Sequence, residues 1–321
     1  MRFSVHGLNK MIQLPDHLPI LRLQEGNNAN QKTLGGFLQK RLEARKIRVG
    51  YVRSPDSEDE HFFIPRMFKA LLDCDLLLIE QGQATSICPA GTLSFGAQAS
   101  LSSETPQQSN FFCREQSDVQ ECSDAIASWL QNCWEQTPLM GAILIGGRSS
   151  RMGYPKHLIK AGDGLSWLEH MTAVLSPFVS EVILSGRGDI PQSLTHLKRV
   201  ADLAGVEGPM TGLAAVMRDQ PFASWLILAC DMPQISQQAI RWLLGQRQVK
   251  SLAVLPKNLE SGRVEPLFSW YDYRCRPLVD SYLDKGGRKI SELWQNRLVS
   301  TPIIPDHLSG CWRNVNRPEE L

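Results

Sequence analysis

The chain has 321 residues, 42% of them hydrophobic, and a formal net charge of +1. That length suits about two domains and that apolar share suits packed cores, while the near-neutral balance argues against duplex nucleic acid as a partner. No apolar run reaches the ~20 residues of a membrane span, and the start M-R-F-S-V-H-G-L-N-K-M lacks the apolar stretch of a signal peptide. A cytoplasmic protein with no membrane partner is therefore expected.

In chain order, residues 18–24 read as a strand, 33–45 as a helix, 46–52 as a strand and 64–73 as a helix. L-L-L-I at 76–79 reads as a buried strand. Residues 81–112 are rich in Gly, Ser, Thr, Ala and Gln and read as loop or weakly ordered chain. Residues 117–133 read as a helix, with Val119, Cys122, Ile126 and Leu130 at helical spacing. Glu135-Gln136-Thr137-Pro138 then serves as a linker, dividing a domain at 1–137 from one at 138–321.

The second part alternates again. Strands are expected at 142–145, 181–185, 198–201, 225–230, 252–255 and 264–270. Helices are expected at 166–175, 210–218, 236–244 with Ser236 as N-cap, 271–283 and 288–294. Such alternation predicts an α/β fold with a mostly parallel sheet covered on both faces. Ligands bind such sheets beyond the C-terminal ends of the strands.

Eight cysteines stand at 74, 88, 113, 122, 133, 230, 275 and 311. None forms C-x-x-C, so free thiols, several of them buried, are expected. Cys113, Cys122 and Cys133 lie nine and eleven residues apart with no fourth ligand nearby, which argues against a metal cluster.

The chemistry concentrates in L-I-G-G-R-S-S-R-M-G-Y-P-K, residues 144–156. Strand, glycine turn, basic residues and helix is the layout of a phosphate-binding loop. Gly146 and Gly147 let the backbone approach a ligand. Arg148, Arg151 and Lys156 put three cations around it. Neither the Walker A pattern nor G-x-G-x-x-G is present. Asp231 ends the strand 225–230 and precedes Met232-Pro233. A carboxylate there suits Mg²⁺, which needs only one or two carboxylates plus phosphates. It equally suits a turn before proline. Lys156 suits charge developing on a pyrophosphate leaving group, or is a solvated surface lysine like most others. Arg151 has the same two readings.

The pattern L-x-G-G-x-S-x-R-M-G-x-x-K resembles the signature of nucleotidyltransferases, and within them that of the molybdenum cofactor guanylyltransferases. D-x-P at 231–233, Asp202 followed by G-P-M-T-G at 208–212, V-E-P-L-F at 264–268, G-G-R-K-I-S-E-L at 286–293 and N-V-N-R-P-E-E-L at 314–321 extend the likeness in order over 140–321. Met210 replaces the family's usual Leu, Ile145 its Ala and Arg317 its Thr.

The resemblance implies a Rossmann-like nucleotidyltransferase domain that transfers GMP from GTP to molybdenum-molybdopterin. Leu144, Ile145, Gly146, Gly147, Lys156, Ser185, Asp202 and Asp231 would bind GTP. Lys156, Arg151 and Asp231 would carry catalysis, with Mg²⁺ on Asp231. Asn314 and Asn316 would face the pterin, Asn316 also being a good helix N-cap. Gly147 favours GTP, since cytidylyltransferases of this fold tend to carry L-A-A-G. Molybdoenzyme apoproteins or other cofactor-synthesis proteins are further candidate partners. A non-catalytic cofactor carrier and a cytidylyl- or sugar-phosphate nucleotidyltransferase are the alternatives.

In the first part, G-N-N-A-N-Q-K-T at 26–33 matches the end of a Walker A loop at Lys32-Thr33. Gln31 and Ala29 stand where bare backbone is wanted around a phosphate, although Asn27, Asn28 and Asn30 can adopt the left-handed conformation. With the segments 41–53, 75–80 and 117–131, this order resembles the P-loop adapter protein of molybdopterin guanine dinucleotide synthesis. That family would place a Walker B carboxylate at Asp75 or Glu80. The 1–137 region is expected to be a smaller, degenerate P-loop α/β domain used for docking.

Overall fold

A computed structural model of the chain describes residues 12–13, 15–24, 29–53, 60–80, 87–95, 109–145, 155–204 and 208–315. The chain divides into two compact units, Arg2–Thr137 and Pro138–Leu321.

In the first unit, the two-residue strands β1 (Ile12–Gln13) and β5 (Ile87–Cys88) pair in parallel. The main sheet uses β2 (Ile20–Gln24), β3 (Val49–Arg53), β4 (Leu76–Glu80), β6 (Gly91–Phe95) and β7 (Ser109–Cys113). Its order is β3-β4-β2-β6-β7 and every pairing is parallel. Helices α1 (Ala29–Ala44), α2 (Glu60–Leu72) and α3 (Val119–Glu135) complete the unit. Leu38 and Leu42 of α1, Leu78 of β4, Leu93 of β6 and Ile126 of α3 share one core.

Two expectations change here. Residues 81–112 do not form a loop throughout, because β6 and most of β7 lie in them. Their glycine content misled. A Cβ on Gly91 would sit 2.2 Å from the Ser109 carbonyl oxygen and 2.8 Å from Leu21, so this glycine answers a close strand approach. The first helix begins at Ala29, four residues earlier than its apolar spacing indicates.

The second unit is built on β8 (Leu139–Leu144), β9 (Val182–Ser185), β10 (Lys198–Val200), β11 (Ser224–Ala229), β12 (Ala253–Val254), β13 (Phe268–Tyr271) and β14 (Val299–Ser300). The order is β10-β9-β8-β11-β13-β12-β14. Only β13 runs against its neighbours, β11 and β12. Helices α4 (Trp167–Leu175), α5 (Pro209–Asp219), α6 (Gln237–Gly245) and α7 (Arg276–Asp284) accompany it. Both units are thus α/β with mostly parallel sheets, as the alternation indicated.

Local chemistry sets the helix starts. Ser166 caps α4 by accepting from the Glu169 amide, and the Glu169 side chain returns the bond to the Ser166 amide at 2.8 Å. Ser236 caps α6, accepting from the Ala239 amide at 3.2 Å. Central β8 and β11 are apolar along nearly their whole length because both sheet faces are covered.

The second half of this unit departs from the expected elements. Of 264–270, the ladder takes only the last three residues, in a strand that runs Phe268–Tyr271, while Val264 makes an isolated bridge to Lys257. Pro266 has no amide to give a ladder. The expected helix 271–283 starts later, because Tyr271 is still in β13 and Asp272 caps a 3₁₀ turn, Tyr273–Cys275, before α7. The expected helix at 288–294 is a 3₁₀ segment, Ile290–Gln295, entered after Gly286 at φ +77°.

The thiols of Cys74, Cys113, Cys122, Cys133 and Cys275 are free and buried. Burial pushes Cys74, Cys122 and Cys133 up to about 12, so they stay protonated and act as small apolar groups. Among the described residues, no group of three or more His, Cys, Asp or Glu side chains could hold a metal. No described helix is long and apolar enough to cross a membrane.

A buried ion pair holds the turn after β13 against the Val249 carbonyl. Asp272 is fully buried and Arg274 is 5% exposed. The guanidinium donates to both carboxylate oxygens, at 2.7 and 3.2 Å, and to the Val249 carbonyl at 2.6 Å. Asp272→Ala strands that guanidinium, and the expected cost is about 3–5 kcal/mol. Chemical denaturation of the full chain checks this. A loss under about 1 kcal/mol would show that water reaches Arg274.

Candidate nucleotide-binding site

The site grows from the register of three parallel strands. Leu144 at the end of β8 pairs with Ser185 at the end of β9 and with Ala229 at the end of β11. The Ile145 amide donates to the Ser185 carbonyl at 2.8 Å, and the Cys230 amide donates to the Leu144 carbonyl at 3.2 Å. Their C-terminal ends therefore finish side by side. Beyond them lies a pocket of about 280 Å³ lined by Leu144, Ser185, Asp202, Gly212, Asp231 and Asn314, among others. Its position is the usual one for ligands on an open parallel sheet.

Helix α5 closes one side. Gly208, at φ +112°, is its N-cap and Pro209 its first residue. Both line the pocket, so the helix start brings its partial positive charge to the ligand space. A Cβ on Gly212 would lie 3.0 Å from Ser185 Oγ, 3.1 Å from Leu144 and 3.3 Å from Asp202. This glycine lets the helix sit against the strand ends. Ser185 Oγ donates weakly to Asp202 Oδ1 at 3.5 Å and to the Gly212 carbonyl at 3.4 Å. Asp202 itself is at the exposed rim.

Asp231 follows β11. Its Oδ2 lies 3.5 Å from Lys156 Nζ, with the two side chains only 22% and 15% exposed. Lys156 opens a 3₁₀ turn, Lys156–Leu158, after Pro155. Asp231 Oδ1 is buried with no hydrogen-bond partner among the described residues. A desolvated, half-satisfied carboxylate oxygen is costly unless something cationic or protic meets it. A divalent cation sharing Asp231 with nucleotide phosphates and water fits that oxygen, and Mg²⁺ accepts so sparse a protein donor set. Beside it, burial and the Asp231 charge push the Cys230 thiol up to about 12, so it presents a neutral wall.

The C-terminal segment reaches the same place. The Val315 amide donates to the Asp231 carbonyl at 2.9 Å, and Val315 is buried. Trp312 anchors this segment by stacking on Phe268, with centroids 4.3 Å apart, and by donating its indole N–H to the Phe268 carbonyl at 3.0 Å. Asn314 is thereby held on the pocket wall.

The structure thus brings together Leu144, Lys156, Ser185, Asp202, Asp231 and Asn314. Ile145 is different, because its side chain is buried at 1% exposure and only its backbone borders the strand ends. Gly146, Gly147, Arg151 and Asn316 lie outside the described residues. Gly208, Gly212 and Leu267 also line the pocket. The first two were visible in G-P-M-T-G as a motif but not as the reason the pocket is open.

Of the two candidate Walker B residues of the first unit, Glu80 stands at the C-terminal end of its strand and Asp75 does not. Asp75 precedes β4, at the end of the strand away from a ligand, and Arg48 grips both its oxygens at 2.9 and 3.0 Å. Glu80 does end β4 and lies 3.5 Å from Arg53. The side chains of Lys32 and Thr33, and residues 26–28, lie outside the described residues.

Residues 141–299 match the family described as the MobA-like NTP transferase domain. A protein of Pelotomaculum thermopropionicum named probable molybdenum cofactor guanylyltransferase is 30% identical over 188 residues, covering 56% of this chain and 89% of that protein. A Synechocystis protein named molybdenum cofactor biosynthesis bifunctional protein is 30% identical over 190 residues, covering 58% of this chain and 53% of its own length. Among solved structures, molybdopterin-guanine dinucleotide biosynthesis protein A from Archaeoglobus fulgidus aligns at TM-score 0.48 and 23% identity, covering 56% of this chain and 94% of that one. Through its second unit the chain belongs to the MobA-like family of NTP transferases and is a nucleotidyltransferase.

Proposed function

We propose that this chain transfers GMP from GTP to molybdenum-bound molybdopterin, giving molybdopterin guanine dinucleotide and pyrophosphate. The observation that carries the reading is Asp231, whose buried oxygen, unmatched among the described residues, lies beside Lys156 where three parallel strands end. The similarity to proteins named as molybdenum cofactor guanylyltransferases supports the choice of substrates.

In this reading the pocket between β8, β9 and α5 receives the nucleotide, with Ser185 and Asp202 toward the guanosine. Asp231 would hold Mg²⁺, which would neutralise phosphate charge and polarise the α-phosphorus. Lys156 places a compact cation beside the departing pyrophosphate. A terminal phosphate oxygen of the acceptor forms a bond to the α-phosphorus as the bond to the bridging α,β oxygen breaks. Pyrophosphate takes that electron pair. The attacking phosphate is largely ionised near neutral pH, so no protein base is required. The protein's work is positioning and charge neutralisation.

The first unit is read as a docking module descended from a P-loop domain. Gln31 and Ala29 stand where a Walker A loop wants bare backbone around a phosphate. Asp75 is taken up by Arg48. A tethered partner enzyme would meet the catalytic unit at raised effective concentration.

Asp231→Ala is expected to abolish guanylyl transfer while the fold persists, and Lys156→Ala to lower kcat by roughly 10²–10³. Lys156→Arg restores part of this, since a planar fork replaces a point charge. Pyrophosphate release with purified cofactor and GTP measures all three. Near-normal turnover by folded Asp231→Ala protein would remove that residue from the centre.

GTP is expected to outcompete CTP and ATP as donor, on the L-x-G-G pattern and Asp202. Equimolar competition, read as the dinucleotide formed, decides it. Equal use of CTP would move the chain to the cytidylyl branch.

Lys32→Ala in the full chain is expected to leave guanylyl transfer unchanged. Isothermal titration with ATP or GTP and Mg²⁺ is expected to show the same number of tight sites before and after the substitution. Loss of a micromolar site on substitution would make the first unit a working nucleotide binder.

A further inference from the structure

A second cavity of about 450 Å³ opens in the catalytic unit, walled by residues of the 257–265 turn and by the 3₁₀ turn Asp306–Trp312. Asn258, Glu260, Glu265, Asp306 and Asn314 are among its lining. Asn314 also lines the pocket at Asp231, so the two cavities share a wall. The volume falls in the range that encloses small organic ligands.

Glu265 is the most rigidly presented acid there. Its amide donates to the Pro256 carbonyl at 2.7 Å, and its own carbonyl accepts from Ser269 Oγ at 2.6 Å. The carbonyl of the next residue, Pro266, accepts from the Tyr271 hydroxyl at 2.6 Å. Proline also holds the residue before it extended. The side chain is half-buried and makes no hydrogen bond among the described residues. Burial raises its pKa above the usual glutamate range, with Arg263 pulling the other way. Such a carboxylate is poised for a ligand that offers two N–H donors in parallel.

We propose that Glu265 reads the 2-amino-4-oxopyrimidine edge of the acceptor's pterin ring in this cavity, with Asn258 and Asn314 as polar neighbours. The inference rests on the guanylyl-transfer reading for the choice of acceptor. The edge presents a ring N–H and an exocyclic amine side by side, and a carboxylate accepts both. Guanine carries the same edge. The nucleotide, however, is assigned to the cavity at α5 and Asp231, which leaves this one, across Asn314, for the acceptor.

The test uses the full chain and two fluorescent probes, 6-hydroxymethylpterin and 6-hydroxymethyllumazine, in which a 2-oxo group replaces the 2-amino group. The wild-type chain is expected to favour the pterin by about tenfold or more, because the lumazine turns an acceptor toward a carboxylate. Glu265→Gln should bring the two affinities close together, since an amide donates to the 2-oxo group. GTP affinity should not move, which also reports that the variant is folded. An undiminished pterin preference in the variant, or no binding of pterin to the wild-type chain, overturns the proposal. A fall in GTP affinity instead would put guanine in this cavity and overturn it equally. If the wild-type chain discriminates the probes yet transfers no guanylyl group, the reaction reading fails while the edge reading stands.

Discussion

Leu144 pairs with Ser185 on one side and Ala229 on the other, and almost everything else in the catalytic unit depends on that register. In a parallel ladder a one-residue slip would turn each side chain to the opposite face. Here it would carry Ser185 or Asp231 away from the pocket. The register is held by apolar burial along β8, β9 and β11, which fills both faces of the sheet. The Cys230 amide extends the alignment one residue past the last strand pair. The polar residues that follow are thus positioned by packing some distance away from the chemistry.

That arrangement concentrates charge where it is expensive. Asp231 and Lys156 face each other at 3.5 Å, too far apart for a tight ion pair and too enclosed to be freely hydrated. Asp231 Oδ1 is unmatched among the described residues. A divalent cation arriving with a phosphate would meet that oxygen, which is how a modest number of protein ligands could hold a highly charged substrate. The start of α5 adds a fixed dipole that needs no counterion of its own.

Much of this was legible in the chain. The strand end at Ser185 and the aspartate just beyond β11 follow from apolar runs that stop at a polar residue, and Ser236 before Gln237–Gly245 reads directly as a cap. What failed has local causes. Composition made 81–112 look like loop because Gly91 and its Ser and Thr neighbours resemble a linker, whereas the glycine serves close contact with Ser109. The run 264–270 looked uniformly strand-like because periodicity does not register that Pro266 lacks an amide. Ile145 lies within the loop motif, yet its side chain belongs to the core. The cavity at Glu265 was beyond reach, since it joins a turn near 260 to one near 310. No local pattern links segments so far apart.

The two units make the same point by contrast. Each is an α/β layer structure with a mostly parallel sheet, so each offers a row of strand ends to a ligand. In the first, Arg48 takes up Asp75 through both oxygens, and Arg53 lies near Glu80. In the second, a glycine at 212 keeps the helix close to the strand ends, and a carboxylate oxygen is unmatched among the described residues. The same architecture can serve either role, because the fold supplies only the place. What separates a reactive centre from a scaffold is whether the charges at that place are already neutralised. An internal partner stabilises the unit and removes the drive to bind. A withheld partner costs stability, and the substrate must then supply what the protein leaves out.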